Sequence, residues 1–278
     1  MPFIRNCRIL MRQEAAPGHY RMGLHAPEIA RAAKPGQFCM IQVSDGLHPF
    51  LRRPMSFERI FPDGISILFK VEGEGTRILA NRAPGQNLSI QGPLGIGFPL
   101  DSSVERHILV AGGIGVAPFP ALAEAIIRAC GKVPEVVLAA RSQHLLVGED
   151  VFREMGCTVR MATDDGSVGE HATAVDVLER LAPSAQTRVY ACGPMPMLRA
   201  AAEVSKRLGA ACYVSLEAQM ACGDGVCLGC AVESNREKEG ERMVRVCADG
   251  PVFDAAIINW TAHNFAYDRS RGSLARTR

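Results

Sequence analysis

The sequence predicts an antiparallel β-barrel followed by a doubly wound α/β domain and a small cysteine-rich C-terminal module. Up to about residue 100, short strand-like runs are cut by turn-forming clusters; from about residue 104, apolar strands alternate with amphipathic helical stretches. Beyond Met220 the chain becomes Gly- and Cys-rich and the alternation stops. At 278 residues the chain is near the upper limit for one hydrophobic core, which favours division. The expected bounds are 1–102 for the barrel, 103–217 for the α/β domain and 218–262 for the module, with a polar, basic tail at 263–278 expected to be disordered.

In the first unit, strands are expected at 37–43, 55–61, 65–71 and 87–91. The breaks between them are turn chemistry: Lys34-Pro35-Gly36, Ser44-Asp45-Gly46, Pro62-Asp63-Gly64 and Ala83-Pro84-Gly85-Gln86. In the second, buried parallel strands are expected at 107–111, 136–140, 158–162, 188–192 and 212–216, with helices at 118–130, 172–181 and 194–208. The apolar run 108–127 has the length of a membrane span, but Gly112, Gly113, Gly115, Pro118, Pro120 and Glu124 divide it into a strand, a glycine turn and the start of a helix.

Hydrophobic residues make up 47% and charged residues 22%, the composition of a folded protein. The net charge of +2 is spread along the chain, so no field recruits nucleic acid or a membrane surface, and neither is expected as a partner. The start, MPFIRNCRIL, lacks the features of a secretory signal, so a cytoplasmic protein is expected.

Six of the ten cysteines (Cys7, Cys39, Cys130, Cys157, Cys192 and Cys212) stand singly among apolar neighbours and read as buried thiols. The other four form C-x4-C-x2-C-x16-C at Cys222, Cys227, Cys230 and Cys247. Up to the third ligand this is the plant-type ferredoxin spacing for a 2Fe-2S cluster, and the interleaved Gly223, Gly225 and Gly229 let the backbone curl around metal. Structural zinc, which usually takes two separated C-x2-C pairs, is the rival. Such a cluster, with no open coordination position, carries electrons rather than transforming a substrate.

Several glycine and arginine motifs suit the other end of that transfer. Arg52-Arg53-Pro54-Met55-Ser56 offers a cation able to pair with phosphate and a hydroxyl for a ring edge, against the alternative of a surface turn. Gly73-Glu74-Gly75-Thr76, running into a short helix, offers amides and a hydroxyl to a pyrophosphate. Gly92-Pro-Leu-Gly95-Ile-Gly97-Phe98 is either a structured junction or a plain linker. In 107–118 a buried strand runs into Gly112-Gly113-Ile114-Gly115, with Pro118 in the first turn of a helix; its GG-x-G pattern departs from G-x-G-x-x-G and argues against a plain Rossmann dehydrogenase. Cys192-Gly193-Pro194-Met195 ends the fourth strand at the carboxyl edge, where ligands collect.

In this order the motifs resemble the ferredoxin-NADP reductase superfamily carrying an extra iron–sulfur module. Ser215-Leu216-Glu217, Met220-Ala221-Cys222-Gly223 and Val246-Cys247-Ala248-Asp249-Gly250-Pro251-Val252-Phe253 resemble most the electron-transfer subunits of class 1B dihydroorotate dehydrogenases, and the likeness spans roughly residues 5 to 260. The resemblance implies an FAD-binding barrel, an NAD-binding α/β domain and a cluster facing a separate FMN-containing catalytic dihydroorotate dehydrogenase subunit, in a heterotetramer serving pyrimidine biosynthesis. Carried over, Arg53, Pro54, Met55, Ser56, Phe69, Lys70, Gly75 and Thr76 line the FAD site. Gly113, Gly115, Cys192, Gly193, Pro194 and Met195 meet NAD, as substrate. Cys222, Cys227, Cys230 and Cys247 hold the cluster. Electrons then run from dihydroorotate through FMN, cluster and FAD to NAD, so no catalytic base is expected on this chain. Met55 departs from the aromatic residue common in the superfamily, and Asp224 adds charge where the family often has an apolar residue. The alternatives are a diaphorase subunit of a sulfhydrogenase or of a bifurcating NADH-ferredoxin NADP oxidoreductase, and a non-enzymatic electron carrier or zinc-stabilised module.

Overall fold

The computed structural model describes residues 2–236 and 242–262; the tail expected to be disordered, 263–278, lies outside the described residues. Six strands close a barrel: β1 (Phe3–Ala16), β2 (His19–His25), β3 (Phe38–Ile41), β4 (Arg53–Phe61), β5 (Gly64–Lys70) and β6 (Asn87–Leu94), in the order β1-β2-β5-β4-β3-β6. Every pair in it is antiparallel. The β1–β2 hairpin was not expected from sequence. Only Cys7 and Ile9 of the fourteen β1 residues are buried, so the period-2 signal of a half-buried strand is nearly absent. Helices α1 (Pro27–Ala32) and α2 (Glu74–Ala80) flank the barrel.

The second sheet has strands β7 (Arg106–Gly112), β8 (Glu135–Ala140), β9 (Thr158–Thr163), β10 (Glu170–His171), β11 (Thr187–Cys192) and β12 (Ala211–Ser215), these six all parallel to one another. Its helices are α3 (Phe119–Cys130), α4 (Glu149–Glu154), α5 (Ala174–Arg180) and α6 (Met195–Arg207). Successive β7 residues serve opposite faces, as the pleat requires: Leu109 and Ala111 pack with Phe119, Leu122 and Phe152 of α3 and α4, Ile108 and Val110 with Val177, Leu178 and Leu198 of α5 and α6. The sheet is therefore doubly wound. The 108–127 run divides as expected, and although Gly113–Cys130 meets the length and apolarity of a membrane span, α3 packs against β4, β7 and α4.

The module adds β13 (Ala231–Glu233), β14 (Met243–Arg245) and β15 (Val252–Asp254); β13 and β14 form a ribbon, while β15 joins the second sheet antiparallel to β12. The order β10-β9-β8-β7-β11-β12-β15 reverses between β7 and β11. That is the switch point at which such sheets open a crevice at their carboxyl ends.

The Gly92–Phe98 segment is a structured junction rather than a plain linker. Ile96 N donates to Gly250 O (2.5 Å) in the module and Phe98 N to Pro35 O (2.8 Å) in the barrel. A Cβ on Gly95 would lie 2.5 Å from Gly250 O, so only glycine allows this contact. Phe98 then seats edge-on against Tyr190 of β11, with ring centroids 5.6 Å apart. Barrel, sheet and module meet within these seven residues.

Candidate functional site

In the barrel, β4 begins at Arg53, and strand geometry sends adjacent side chains to opposite sides. Arg52 straps the barrel: its guanidinium donates to Ser89 O (2.8 Å), Ser89 Oγ (2.9 Å) and Gln42 Oε1 (3.3 Å). Arg53 lies instead against the start of α2. A Cβ built on Gly75 would be 2.3 Å from Arg53 Nε and 2.6 Å from Cζ, so the guanidinium rests directly on the Gly75 backbone. Two motifs twenty-two residues apart thus form one cationic corner. The amides of Glu74, Gly75 and Thr76 have no intrahelical partner there, because the first helical bond is Arg77 N to Gly73 O (2.9 Å). Exposed His48 of the β3–β4 loop reaches the same corner, with Nε2 2.8 Å from Glu74 Oε2.

Two residues expected at this corner make contacts within the chain. The Thr76 hydroxyl, expected to serve a pyrophosphate, accepts from Glu72 N (2.9 Å) and Gly73 N (3.1 Å) and donates to Gly73 O (3.0 Å). It caps the helix, leaving the backbone amide as the group offered. Phe69 is buried in the barrel core beside Tyr20, centroids 6.0 Å apart, so its side chain supports the wall rather than facing a ligand. Lys70 is half-buried, 3.5 Å from Glu72 Oε1. Met55 is also buried, opposite Cys39, and Ser56, half-buried, pairs with Phe38 across β3.

At the switch point the β7 and β11 turns touch backbone to backbone. A Cβ on Gly115 would fall 2.3 Å from Cys192 O, and one on Gly193 3.0 Å from the Gly112 backbone and 2.8 Å from Met197 Cε. Gly113 takes φ +55° with open space beside it. The structure thus brings Gly113, Gly115, Cys192, Gly193, Pro194 and Met195 together, with Pro194 exposed at the head of α6. Burial drives the Cys192 pKa up, so this thiol stays protonated and serves as a close neighbour, not a nucleophile. His107 is buried and stacks on Tyr190; His144 and His171 are exposed.

The four module cysteines meet two by two. Cys227 N donates to Cys222 Sγ and Cys247 N to Cys230 Sγ, both at 3.4 Å. Backbone amides and the neighbouring Cys222 pull the Cys227 pKa down to about 7, whereas Cys247 is pushed up, by burial first and then by Cys230. Among the described residues no three metal-ligating side chains close on a single point. Two thiol pairs with amides directed at sulfur fit a two-iron centre, in which each iron takes two cysteines and N–H groups stabilise the thiolates. The loop is seated on the barrel: a Cβ on Gly223 would meet Met40 Cγ at 2.5 Å, and Met40 is the register partner of Pro54. The apex bearing Val226 and Leu228, 79% and 61% exposed, faces away from the core.

A residue missed in the sequence is Arg245. It sits two positions before Cys247, and its guanidinium bonds both Asp249 and the cysteine loop. The readable signal was an Arg-x-x-x-Asp pair bracketing Cys247.

The barrel, switch-point crevice and thiol module together define an oxidoreductase of the ferredoxin-reductase fold with an iron–sulfur appendage. Residues 217–259 match the family model described as the iron-sulfur cluster binding domain of dihydroorotate dehydrogenase B, and residues 109–203 the oxidoreductase NAD-binding domain. The chain is 36% identical over 94% of its length to all of the dihydroorotate dehydrogenase B (NAD(+)) electron transfer subunit of Desulforamulus reducens. It is also 36% identical, over 90% of its length and 96% of the relative, to the subunit of the same name from Lysinibacillus sphaericus. The structure of an NADH-dependent reduced ferredoxin-NADP oxidoreductase, studied for electron bifurcation, superposes with TM-score 0.80 at 25% identity, over 98% of this chain and 94% of that one. A ferredoxin reductase of carbazole 1,9a-dioxygenase shares the fold (TM-score 0.65, 22% identity, 75% and 67% covered). The chain belongs to the dihydroorotate dehydrogenase B electron-transfer subunit family. The diaphorase alternative is not favoured, since the bifurcating enzyme is the more distant in sequence.

Proposed function

We propose that this chain is the cytoplasmic electron-transfer subunit that takes electrons from a separate FMN-containing dihydroorotate dehydrogenase subunit, in a heterotetramer, and delivers them to NAD. Residues 1–102 hold FAD, 103–217 receive NAD and 218–262 hold the 2Fe-2S cluster. When bound, the cluster supplies one-electron steps and FAD supplies the conversion to the hydride exchanged with NAD.

The chain's own residues do the holding. Arg53 and the free amides of Gly75 and Thr76 bind the FAD pyrophosphate, the guanidinium as a fork and the amides as donors at a positive helix end. Ser56 and the backbone of Pro54, Met55, Phe69 and Lys70 border the flavin ring. Gly115, packed against Cys192 and Gly193, and Gly113, with open space beside it, border the site of the nicotinamide nucleotide together with Pro194 and Met195. Cys222 with Cys227 holds one iron, and Cys230 with Cys247 the other.

The observation that carries this reading is the seat of the cysteine loop. Gly223 rests on Met40, and Met40 pairs with Pro54 inside the Arg-Arg-Pro-Met-Ser segment, so one strand pairing separates the thiols from the flavin-side residues. The test is reconstitution. Purified chain is expected to carry iron, acid-labile sulfide and FAD, and to reduce NAD only when the FMN subunit and dihydroorotate are both added. Colourless protein after anaerobic purification, or no NADH from the reconstituted pair, refutes it.

A further inference from the structure

We infer that Arg245, held by Asp249, is a positioning residue for the iron–sulfur site: it straps the loop carrying Cys222 and Cys227 to the strand leading into Cys247, and its charge raises the cluster's reduction potential. The inference rests on the cluster assignment above. Arg245 ends β14, where it pairs with Ala231, the residue after Cys230. Its guanidinium divides its donors between two partners. Nε and Nη2 grip the Asp249 carboxylate at 3.0 and 2.9 Å, and Nη1 donates to Gly225 O at 3.1 Å, inside the cysteine loop. Asp249 Oδ2 also accepts from Arg245 N at 2.8 Å, which fixes the carboxylate to the backbone it serves. The strap leaves no slack: a Cβ on Gly225 would lie 3.0 Å from Arg245 Nη1 and 2.8 Å from Ala248 Cβ.

This arrangement has two consequences. Three of the thiols come from one loop and the fourth from the turn after β14; near Cys230 these segments are joined by the β13–β14 pairing of Ala231 with Arg245, by Val246 N to Cys230 O (3.2 Å) and by Cys247 N to Cys230 Sγ. Arg245 adds a side-chain tie from its own segment to Gly225, between Cys222 and Cys227. Its cation also sits on the loop side of the pair, with the carboxylate on the opposite edge of the guanidinium. A fixed positive charge favours the reduced cluster, which is one unit more negative; hydrogen bonding and net charge set such potentials.

The experiment compares Arg245→Gln, Arg245→Lys and Asp249→Asn in the full chain, with FAD content and far-UV circular dichroism as checks on folding. Redox titration followed by visible absorption and electron paramagnetic resonance gives the potential, and bleaching under an iron chelator gives the release rate. Arg245→Gln is expected to lower the potential and speed release tenfold or more. Arg245→Lys is expected to keep the potential near wild type while still speeding release, because the charge remains and the fork is gone. Asp249→Asn, which removes a negative charge, is expected to move the potential upward. Arg245→Gln with wild-type potential and release rate overturns the inference, as does a shift of the same sign in Arg245→Gln and Asp249→Asn. Wild-type protein lacking iron and labile sulfide sinks the cluster assignment itself, a result distinguishable from either.

Discussion

Gly75→Ala tests the flavin site by moving one side chain without touching it. The added methyl carbon would stand 2.3 Å from Arg53 Nε and 2.7 Å from Nη2, against the roughly 3.5 Å of ordinary contact, so the guanidinium must retreat by about 1 Å. It can do so cheaply, being not backbone but the far end of a long side chain, whose Nη1 donates to Leu51 O, and the fold is expected to lose less than about 1 kcal/mol. The ligand loses more. A hydrogen bond to a charged group is worth about 1.5–3 kcal/mol, so FAD affinity should fall roughly 10- to 100-fold. Titrating apoprotein with FAD and following quenching of flavin fluorescence measures it. Gly73→Ala is the control: Gly73 is extended, at φ −163°, and a Cβ there meets nothing within 4 Å. Arg53→Gln should reproduce the Gly75→Ala loss. If Gly75→Ala binds FAD as wild type does, or if Gly73→Ala weakens binding equally, the cationic corner is not the phosphate site.

Gly115→Ala places its Cβ 2.3 Å from the Cys192 carbonyl oxygen, a backbone atom that cannot step aside. It should cost about 1–3 kcal/mol and lower the melting temperature by several degrees, and an unchanged melting curve refutes the close contact. Asp224→Ile removes an exposed negative charge from the cysteine loop and should raise the cluster potential; no change, or a fall, in a redox titration counts against it. His107 is 2% exposed, and burial first, then Lys132, lower its pKa, against a raising effect from Asp101 and a further lowering one from Arg188. The folded imidazole therefore resists protonation more than the unfolded one, which titrates at about 6.5, so its contribution is complete above that pH and lost as pH falls below it, at up to about 1.4 kcal/mol per unit. Urea unfolding at pH 7.5 and 5.5 should show a shallower pH dependence in His107→Gln, and parallel curves would rule this out.

Much of the site was legible because its chemistry is local. The C-x4-C-x2-C spacing, the GG-x-G turn and the Arg-Arg-Pro run each fit within a dozen residues. The hairpin of β1 and β2 was not legible, because a strand with two buried residues in fourteen carries almost no periodic signal. The capping role of the Thr76 hydroxyl was not legible, because the same group suits both a phosphate and a helix start, and only the fold shows the backbone beside it.

Taken alone, the sequence determined which candidate groups are on offer and in what order, the clustered thiols, the glycine turns and the Arg-Arg-Pro cation, and the change from barrel to wound sheet. Residue type and short-range spacing fix donor chemistry, and hydrophobic period fixes the class of element. Tertiary structure alone decided which of these meet. Arg53 reaches Gly75, Gly115 abuts Cys192, Gly223 rests on Met40, and Arg245 spans Asp249 and Gly225. Those contacts depend on barrel closure, on the strand-order reversal between β7 and β11, and on the seating of β15 against β12. All three are settled by packing between segments distant in the chain, where local pattern carries no information.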